Sequence, residues 1–166
     1  NLSEKTGLPV MLRVPTRLSH SRAGIIREKA REQNKLHLSD EKTKWILLPA
    51  NARNNYQQLL DKQQELTALS ESSPFNRATK NNNTLGVIAF GIAYNYAMEA
   101  IKTYNLPVDI LKIAQYPLPD GLIAEFTEQH ADILIAEEGY PVYEELLKGY
   151  FGNNKFRGRL DGTLPR

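Results

Sequence analysis

Cysteine is absent from the 166 residues of the chain. Disulfide bonds, thiol catalysis, iron–sulfur clusters and thiolate zinc sites are therefore excluded within these residues. The same absence fits a reducing compartment, so we expect a cytoplasmic protein. No apolar run approaches the length of a membrane span, which predicts a soluble chain with no membrane partner.

Familiar catalytic and phosphate-binding motifs are also missing. The chain has no glycine-rich phosphate loop, no GxSxG turn and no HExxH sequence. Near His20 no second histidine or carboxylate stands at ligand spacing, which disfavours a metal site there. We therefore predict no catalytic and no metal-binding residue. Because the chain begins with Asn1 rather than methionine, we interpret it as an excerpt of a longer polypeptide.

The excess of positive over negative charge is small, but it is unevenly distributed along the chain. The formal net charge is +2, yet residues 1–80 hold 14 Lys and Arg against 8 Asp and Glu, whereas residues 81–166 hold 7 against 11. The basic residues of the first half are scattered among acidic ones and are not interleaved with aromatic residues. That pattern disfavours nucleic acid as a partner.

Short runs rich in Ile, Val and Leu alternate with helical patterns in the second half of the chain. The apolar runs are Leu85–Phe90, Val108–Ala114 and Ile133–Ala136. Helical spacing follows in Ile92–Tyr104, Gly121–Gln129 and Val142–Tyr150. The pattern predicts an α/β fold with three layers: a mostly parallel sheet of about five strands, with helices on both faces.

The first half of the chain gives weaker signals. Its clearest helix is predicted at Asn51–Ser70, where apolar residues share one face and Asn51 can cap the start. Glu71–Asn83 is rich in Ser and Asn and is interpreted as a linker. Arg27–Gln33 fits either a surface helix or a mobile connection. Further strand candidates are Leu8–Val14, Lys44–Leu48 and Asn153–Leu160. Lys44–Leu48 is equally compatible with an extended segment that packs on a neighbour.

Ligands of parallel sheets bind at the carboxyl ends of the strands. The polar and aromatic candidates that follow the predicted strands are Tyr94, Asn95, Glu137, Glu138 and Tyr140. The two adjacent glutamates have a structural explanation, since carboxylates are favourable near a helix N-terminus. Adjacent strand residues point to opposite faces, which disfavours a shared catalytic role. The alternative is that they orient a ligand or a partner group.

A second candidate site is the polar stretch that follows the first strand candidate. Its residues are Thr16, Arg17, His20, Ser21 and Arg22. Arginines and hydroxyls of this density suit an anion such as a phosphate or a substrate carboxylate. A solvated loop or a contact between domains is the simpler explanation of the same residues.

Several segments resemble the large subunit of the indolepyruvate:ferredoxin oxidoreductases, a 2-oxoacid:ferredoxin oxidoreductase family. They occur in the same order and are LPVMLRVPTRLSHSR (8–22), WILLPANAR (45–53), GVIAFGIAYNYAMEAI (86–101), ILKIAQYPLP (110–119), ILIAEEGYPVYEE (133–145) and GRLDGTLPR (158–166). At position 90 the resemblance leads us to expect a small residue after the strand, and the chain has Phe90 instead. Phe90 should therefore narrow the carboxyl end of the strand predicted at Leu85–Phe90.

The resemblance implies where the chain lies in the larger protein. Residues 1–22 resemble the end of a pyrimidine-binding thiamine domain, residues 23–80 the connection that contains the 51–70 helix, and residues 81–166 a transketolase C-terminal-like domain. The family's catalytic glutamate, its diphosphate–magnesium motif and its cluster cysteines have no matching positions here. The resemblance therefore implies no cofactor within this chain, and thiamine diphosphate, magnesium and iron–sulfur clusters elsewhere in the complex.

Two functions follow as hypotheses. The first is a non-catalytic structural and assembly domain of an enzyme that oxidatively decarboxylates 2-oxoacids, such as indolepyruvate or pyruvate, to acyl-coenzyme A and reduces ferredoxin. Its implied partners are other domains of the same subunit, the smaller subunit and, for the whole complex, ferredoxin and coenzyme A. The alternative is an independent α/β binding module for an anionic ligand such as coenzyme A or a nucleotide. A homo-oligomer is compatible with both.

Overall fold

The computed structural model describes residues 2–30, 32–33, 35, 40–151, 156–158 and 162–164. It divides the chain into two compact units, Asn1–Asp40 and Glu41–Arg166. The predicted domain limits at residues 22 and 80 remain predictions. No helix within the described ranges is long and apolar enough to cross a membrane.

The first unit contains two short helices, α1 (Leu2–Thr6) and α2 (Thr16–Ser19). Gly7 follows α1 with a φ of +68°, a left-handed conformation that glycine adopts without steric cost. The strand predicted at Leu8–Val14 is wrong, because these residues pair with no strand among the described residues. Its apolar side chains are exposed instead, up to 91% for Met11 and 85% for Leu12. The residues described between 27 and 33 contain no helix.

The second unit opens with a 3-10 turn, Lys42–Trp45, and the helices α3 (Pro49–Asp61) and α4 (Gln63–Glu71). The predicted single helix over 51–70 is thus interrupted at Lys62. The helix also starts earlier than predicted, because Pro49 suits the first helical turn. Asn51 does not cap it, and its side-chain amide donates hydrogen bonds to the carbonyls of Thr43 and Ile46.

A five-stranded sheet follows, with the strand order β1-β3-β2-β4-β5. The strands are β1 (Arg77–Ala78), β2 (Leu85–Phe90), β3 (Val108–Ile113), β4 (Asp132–Ala136) and β5 (Phe156–Arg157). All neighbours are parallel except β1, which pairs antiparallel with β3. The predicted linker Glu71–Asn83 therefore contains an edge strand, which is too short to show a period in the sequence. The rest of the strand predicted over 153–160 lies largely outside the described residues.

Helices cover both faces of the sheet, as predicted. They are α5 (Ala93–Tyr104), α6 (Asp120–Gln129) and α7 (Val142–Phe151). On one face Val87, Ala89 and Ile110 pack against residues of α5. On the other face Ile88 and Leu111 pack with Phe126 of α6 and Leu147 of α7. The mostly parallel, three-layer α/β fold is confirmed.

Candidate functional site

Three loops meet at the carboxyl ends of the central strands β2, β3 and β4. Tyr94 lies half-buried in the first turn of α5, just after β2, and the Lys112 ammonium of β3 lies 4.8 Å from the centre of its ring. Asn95 is exposed in the same turn. The crossovers on either side of β2 run to opposite faces, which is the arrangement that opens a crevice at a strand end.

Phe90 is buried at the end of β2. Its ring stacks on Tyr143 of α7 at a centroid distance of 4.2 Å, and Tyr143 in turn stacks on Tyr116 at 5.4 Å. Tyr116 belongs to the loop after β3, so the three rings connect the carboxyl ends of two strands with the start of α7. That Phe90 narrows this strand end stays a prediction.

The Glu137 side chain caps the N-terminus of α7, the helix that follows β4. It is 8% exposed, and its two carboxylate oxygens accept hydrogen bonds from the backbone N–H groups of Tyr143 and Glu144 at 3.0 and 2.9 Å. These are among the N-terminal N–H groups of α7 that have no partner within the helix. The structural explanation of Glu137, a carboxylate at a helix N-terminus, is the one that the geometry supports.

The neighbouring candidates Glu138 and Tyr140 are exposed. The Tyr140 hydroxyl donates a 2.7 Å hydrogen bond to the Glu145 carboxylate. That bond and the charge of Glu145 raise the pKa of the Tyr140 phenol above its ordinary value. Glu137 and Glu138 therefore have different environments, one buried at a helix start and the other in solvent, and do not form a shared acid–base pair.

The candidates of the first unit lie in and just after α2. All five are exposed, and the Ser21 hydroxyl donates a local hydrogen bond to the Leu18 carbonyl at 2.8 Å. Thr16 and Arg17 belong to the helical turn, and His20 follows it, so part of the predicted polar loop is helical. An anion site at these residues stays a prediction.

A buried polar cluster that the sequence did not reveal holds the loop after β3. The Asn76 side-chain oxygen accepts hydrogen bonds from the backbone N–H groups of Ala114 and Gln115 at 2.8 and 2.9 Å, and its amide donates to the Gln115 carbonyl. The Ser70 hydroxyl lies 2.9 Å from the Gln115 carbonyl and 2.6 Å from the Pro117 carbonyl. The Ser/Asn-rich composition of 71–83 was the available signal, and we interpreted it only as a linker.

A second buried cluster lies at the opposite, amino end of β3. The Asp109 carboxylate is 3.3 Å from His130 Nε2, and both side chains are only 2% exposed. It also accepts hydrogen bonds from the Asn81 and Asn83 N–H groups and from the Asn83 amide. Burial opposes its ionisation, but these bonds outweigh burial and hold the pKa of Asp109 below its ordinary value.

The ring of His130 lies between two hydrogen-bond acceptors. Nδ1 is 2.6 Å from the Phe126 carbonyl oxygen, and Nε2 faces the Asp109 carboxylate. The His130–Asp109 pair connects the end of α6 with β3, and it is remote from the carboxyl ends of the strands.

The polar residues described above chiefly stabilise the fold. The buried polar side chains Glu137, Asn76 and Asp109 are all engaged in bonds that hold a loop or a helix start. Among the described residues no group of three or more His, Asp or Glu side chains is placed to hold a metal ion. The partly exposed Tyr94 and Lys112 and the exposed Asn95, at the ends of β2 and β3, are accessible to a ligand or a partner.

Comparisons with known proteins give relatives that cover the chain almost completely. It is 35% identical over 172 residues to indolepyruvate oxidoreductase subunit IorA of Methanothermobacter thermautotrophicus, which covers 99% of this chain and 28% of that protein. It is 34% identical over 173 residues to the same subunit of Archaeoglobus fulgidus, again over 99% of this chain and 27% of the relative. The chain thus spans little more than a quarter of the curated relatives it matches.

No family model matches the chain. One solved structure is similar, a 2-oxoglutarate:ferredoxin oxidoreductase from Magnetococcus marinus with 2-oxoglutarate, coenzyme A and succinyl-CoA bound. The two are 14% identical, with a TM-score of 0.48, over 68% of this chain and 20% of that one.

Proposed function

The chain is related over nearly its whole length to a segment of the indolepyruvate oxidoreductase subunit IorA, and on that premise we propose that it is a non-catalytic structural and assembly domain of a thiamine diphosphate-dependent 2-oxoacid:ferredoxin oxidoreductase. The parent complex would oxidatively decarboxylate a 2-oxoacid, such as indolepyruvate or pyruvate, to acyl-coenzyme A and reduce ferredoxin. The observation that carries this proposal is that 99% of the chain aligns with about a quarter of the relative.

The use of the buried polar residues supports a structural role. A catalytic acid or base must reach a substrate, yet Glu137 is occupied by the N-terminus of α7 and Asn76 by the loop after β3. Asp109 and His130 lie 3.3 Å apart, buried together at the other end of the sheet. Side chains committed in this way stabilise the fold and leave the chemistry to other parts of the polypeptide.

The cofactors belong to the same proposal. With no cysteine the chain offers no thiolate for an iron–sulfur cluster. We propose that thiamine diphosphate, magnesium and the clusters are held by other parts of the complex, and that the complex is cytoplasmic. Residues 1–22 would end the preceding thiamine-binding domain, residues 23–80 would connect, and residues 81–166 would form the transketolase C-terminal-like domain.

Exposed apolar residues indicate where the partners would pack. In the first unit Met11 and Leu12 are 91% and 85% exposed, and in the second unit Leu47 is 94% exposed. Burying such a side chain contributes about 1.5–3 kcal/mol. We assign these surfaces to contacts with other domains of the same subunit and with the smaller subunit of the oxidoreductase.

Co-purification tests the proposed assembly. A tagged chain is co-expressed with the remaining segments of the Methanothermobacter thermautotrophicus IorA subunit, from which the matching quarter has been removed. We expect the two to elute together from a size-exclusion column, and the double variant Met11→Ser, Leu12→Ser to weaken that association. The exposed variant Glu128→Gln serves as a control that should not alter it.

Activity of the chain alone tests the other half of the proposal. Indolepyruvate, thiamine diphosphate, magnesium and coenzyme A are supplied with an artificial electron acceptor. We expect no reduction of the acceptor by the purified chain. Turnover that scales with the concentration of the chain would overturn the non-catalytic assignment.

A further inference from the structure

Two positive side chains lie directly opposite each other at the edge of the sheet. Arg77 of β1 pairs with Lys112 of β3 in the antiparallel register. Residues in that position have Cβ atoms about 4.5–5.5 Å apart, and like charges there destabilise the pair. The sheet therefore holds an unfavourable juxtaposition that a bound negative group would make favourable.

The position of Lys112 concentrates this charge beside α5. Lys112 shares its face of β3 with Val108 and Ile110, which pack on α5, and it is only partly exposed. Its ammonium lies 4.8 Å from the centre of the Tyr94 ring. The contact with the ring fixes the charge at the carboxyl end of β3, and its partial burial reduces screening by water.

The nearest helix start adds to the positive potential. Tyr94 lies in the first turn of α5, a helix of 12 residues whose first turn has no acidic residue and whose start has no side-chain cap. The N-terminus of such a helix carries the equivalent of about half a positive charge. The start of α5 and the Lys112 ammonium thus lie at the same corner of the sheet, and Arg77 occupies the register position opposite Lys112.

Neither cation is neutralised by a carboxylate of the described residues. Other lysines in the same part of the chain are paired: Lys80 with Glu125 at 2.6 Å, and Lys148 with Glu144 at 2.7 Å. Arg77 and Lys112 form no ion pair with any described residue.

We propose that Arg77 and Lys112 form a binding site for the oxyanion of a small molecule, a phosphate or a carboxylate. A guanidinium offers a planar fork of N–H donors that matches two oxygens of such a group, and the ammonium adds a point charge. The site lies at the carboxyl ends of β2 and β3, where parallel sheets bind ligands. It is separate from the anion site predicted at residues 16–22, and it does not depend on the proposed enzyme.

Nuclear magnetic resonance of the ¹⁵N-labelled full chain tests the site. The chain is titrated with inorganic phosphate, and in a second series with acetate, while sodium chloride keeps the ionic strength constant because exposed charges are screened by salt. We expect saturable shifts of the amide signals of Tyr94, Asn95 and Lys112. Shifts with phosphate alone identify a phosphate ligand, and shifts with both anions identify a general oxyanion site.

Three charge-removing variants complete the test: Arg77→Gln, Lys112→Gln and, as a matched control at the other end of α5, Lys102→Gln. We expect the first two to weaken phosphate binding at least tenfold, which corresponds to about 1.4 kcal/mol, and the control to leave it unchanged. Arg77 is exposed, so its variant remains decisive if Lys112→Gln fails to fold. Linear shifts without saturation, shifts confined to residues 16–22, or equal weakening by the control would overturn the proposal.

Discussion

Replacing Asp109 by asparagine should destabilise the second unit, although the two side chains have nearly the same shape. The Oδ1 atom of Asp109 accepts hydrogen bonds from the Asn81 N–H and the Asn83 amide, and Oδ2 accepts one from the Asn83 N–H and lies 3.3 Å from His130 Nε2. An asparagine must place its NH₂ group where one of these oxygens was. In either orientation at least one backbone N–H donor then faces the NH₂ group instead of an acceptor.

The magnitude follows from that count. A buried donor without an acceptor costs about 1–3 kcal/mol, and the substitution creates at least two of them, the N–H group that loses its acceptor and the new NH₂ group. We therefore expect Asp109→Asn to lower the free energy of unfolding by about 2–6 kcal/mol. For a chain of this size the melting temperature should fall by about 4–24 °C. A matched control is Glu125→Gln, which removes the exposed ion pair with Lys80 and should leave the melting temperature nearly unchanged.

The pH dependence gives the prediction a second readout. The pKa of Asp109 is lowered in the folded protein from its ordinary 3.8, so folding favours the carboxylate. Its contribution is complete above pH 3.8 and is lost as the pH falls through the folded pKa. Thermal unfolding at several pH values should therefore show the gap between wild type and Asp109→Asn narrowing below pH 3.8. A variant as stable as the Glu125→Gln control at pH 7 would refute the reasoning.

Three further substitutions test other parts of the fold. Asn76→Ala leaves two backbone N–H groups of the loop after β3 without their acceptor, so urea unfolding should show a loss of about 2–5 kcal/mol in the free energy of unfolding. Hydrogen exchange of those two amides should become faster, and unchanged exchange would contradict the role given to Asn76. Glu137→Ala removes the cap of α7 and should cost about 1–2 kcal/mol, whereas the exposed Glu128→Ala should cost little in the same assay. Gly86→Ala places a methyl carbon 2.7 Å from a Phe126 ring carbon, so calorimetric melting should show a loss of about 1–3 kcal/mol; a melting point equal to that of wild type would show that the ring can move aside.

The central sheet was predictable because its strands are buried on both faces. Leu85–Phe90 was predicted to the residue, and Val108–Ala114 differs from β3 by one residue at its end. Such strands read as continuous apolar runs, and the helices between them have their own period. The structural explanation of Glu137 was accessible for a similar reason, since helix starts select carboxylates by local chemistry.

The features that could not be predicted from the sequence depend on contacts between residues far apart in the chain. β1 has two residues and no period, and its existence rests on pairing with a strand more than thirty residues later. Asn76 and Gln115 are likewise 39 residues apart. The opposite error occurs at Leu8–Val14, where a strand is predicted and none forms. The composition of these residues favours a strand, but no described strand lies beside them to form backbone hydrogen bonds.

Calorimetric titration of the purified chain with thiamine diphosphate and magnesium tests the central claim most directly. A structural domain whose cofactor is held elsewhere should give no saturable heat, and we expect only the heat of dilution. Saturable heat with a stoichiometry near one would contradict the account, because it would place the cofactor site within this chain.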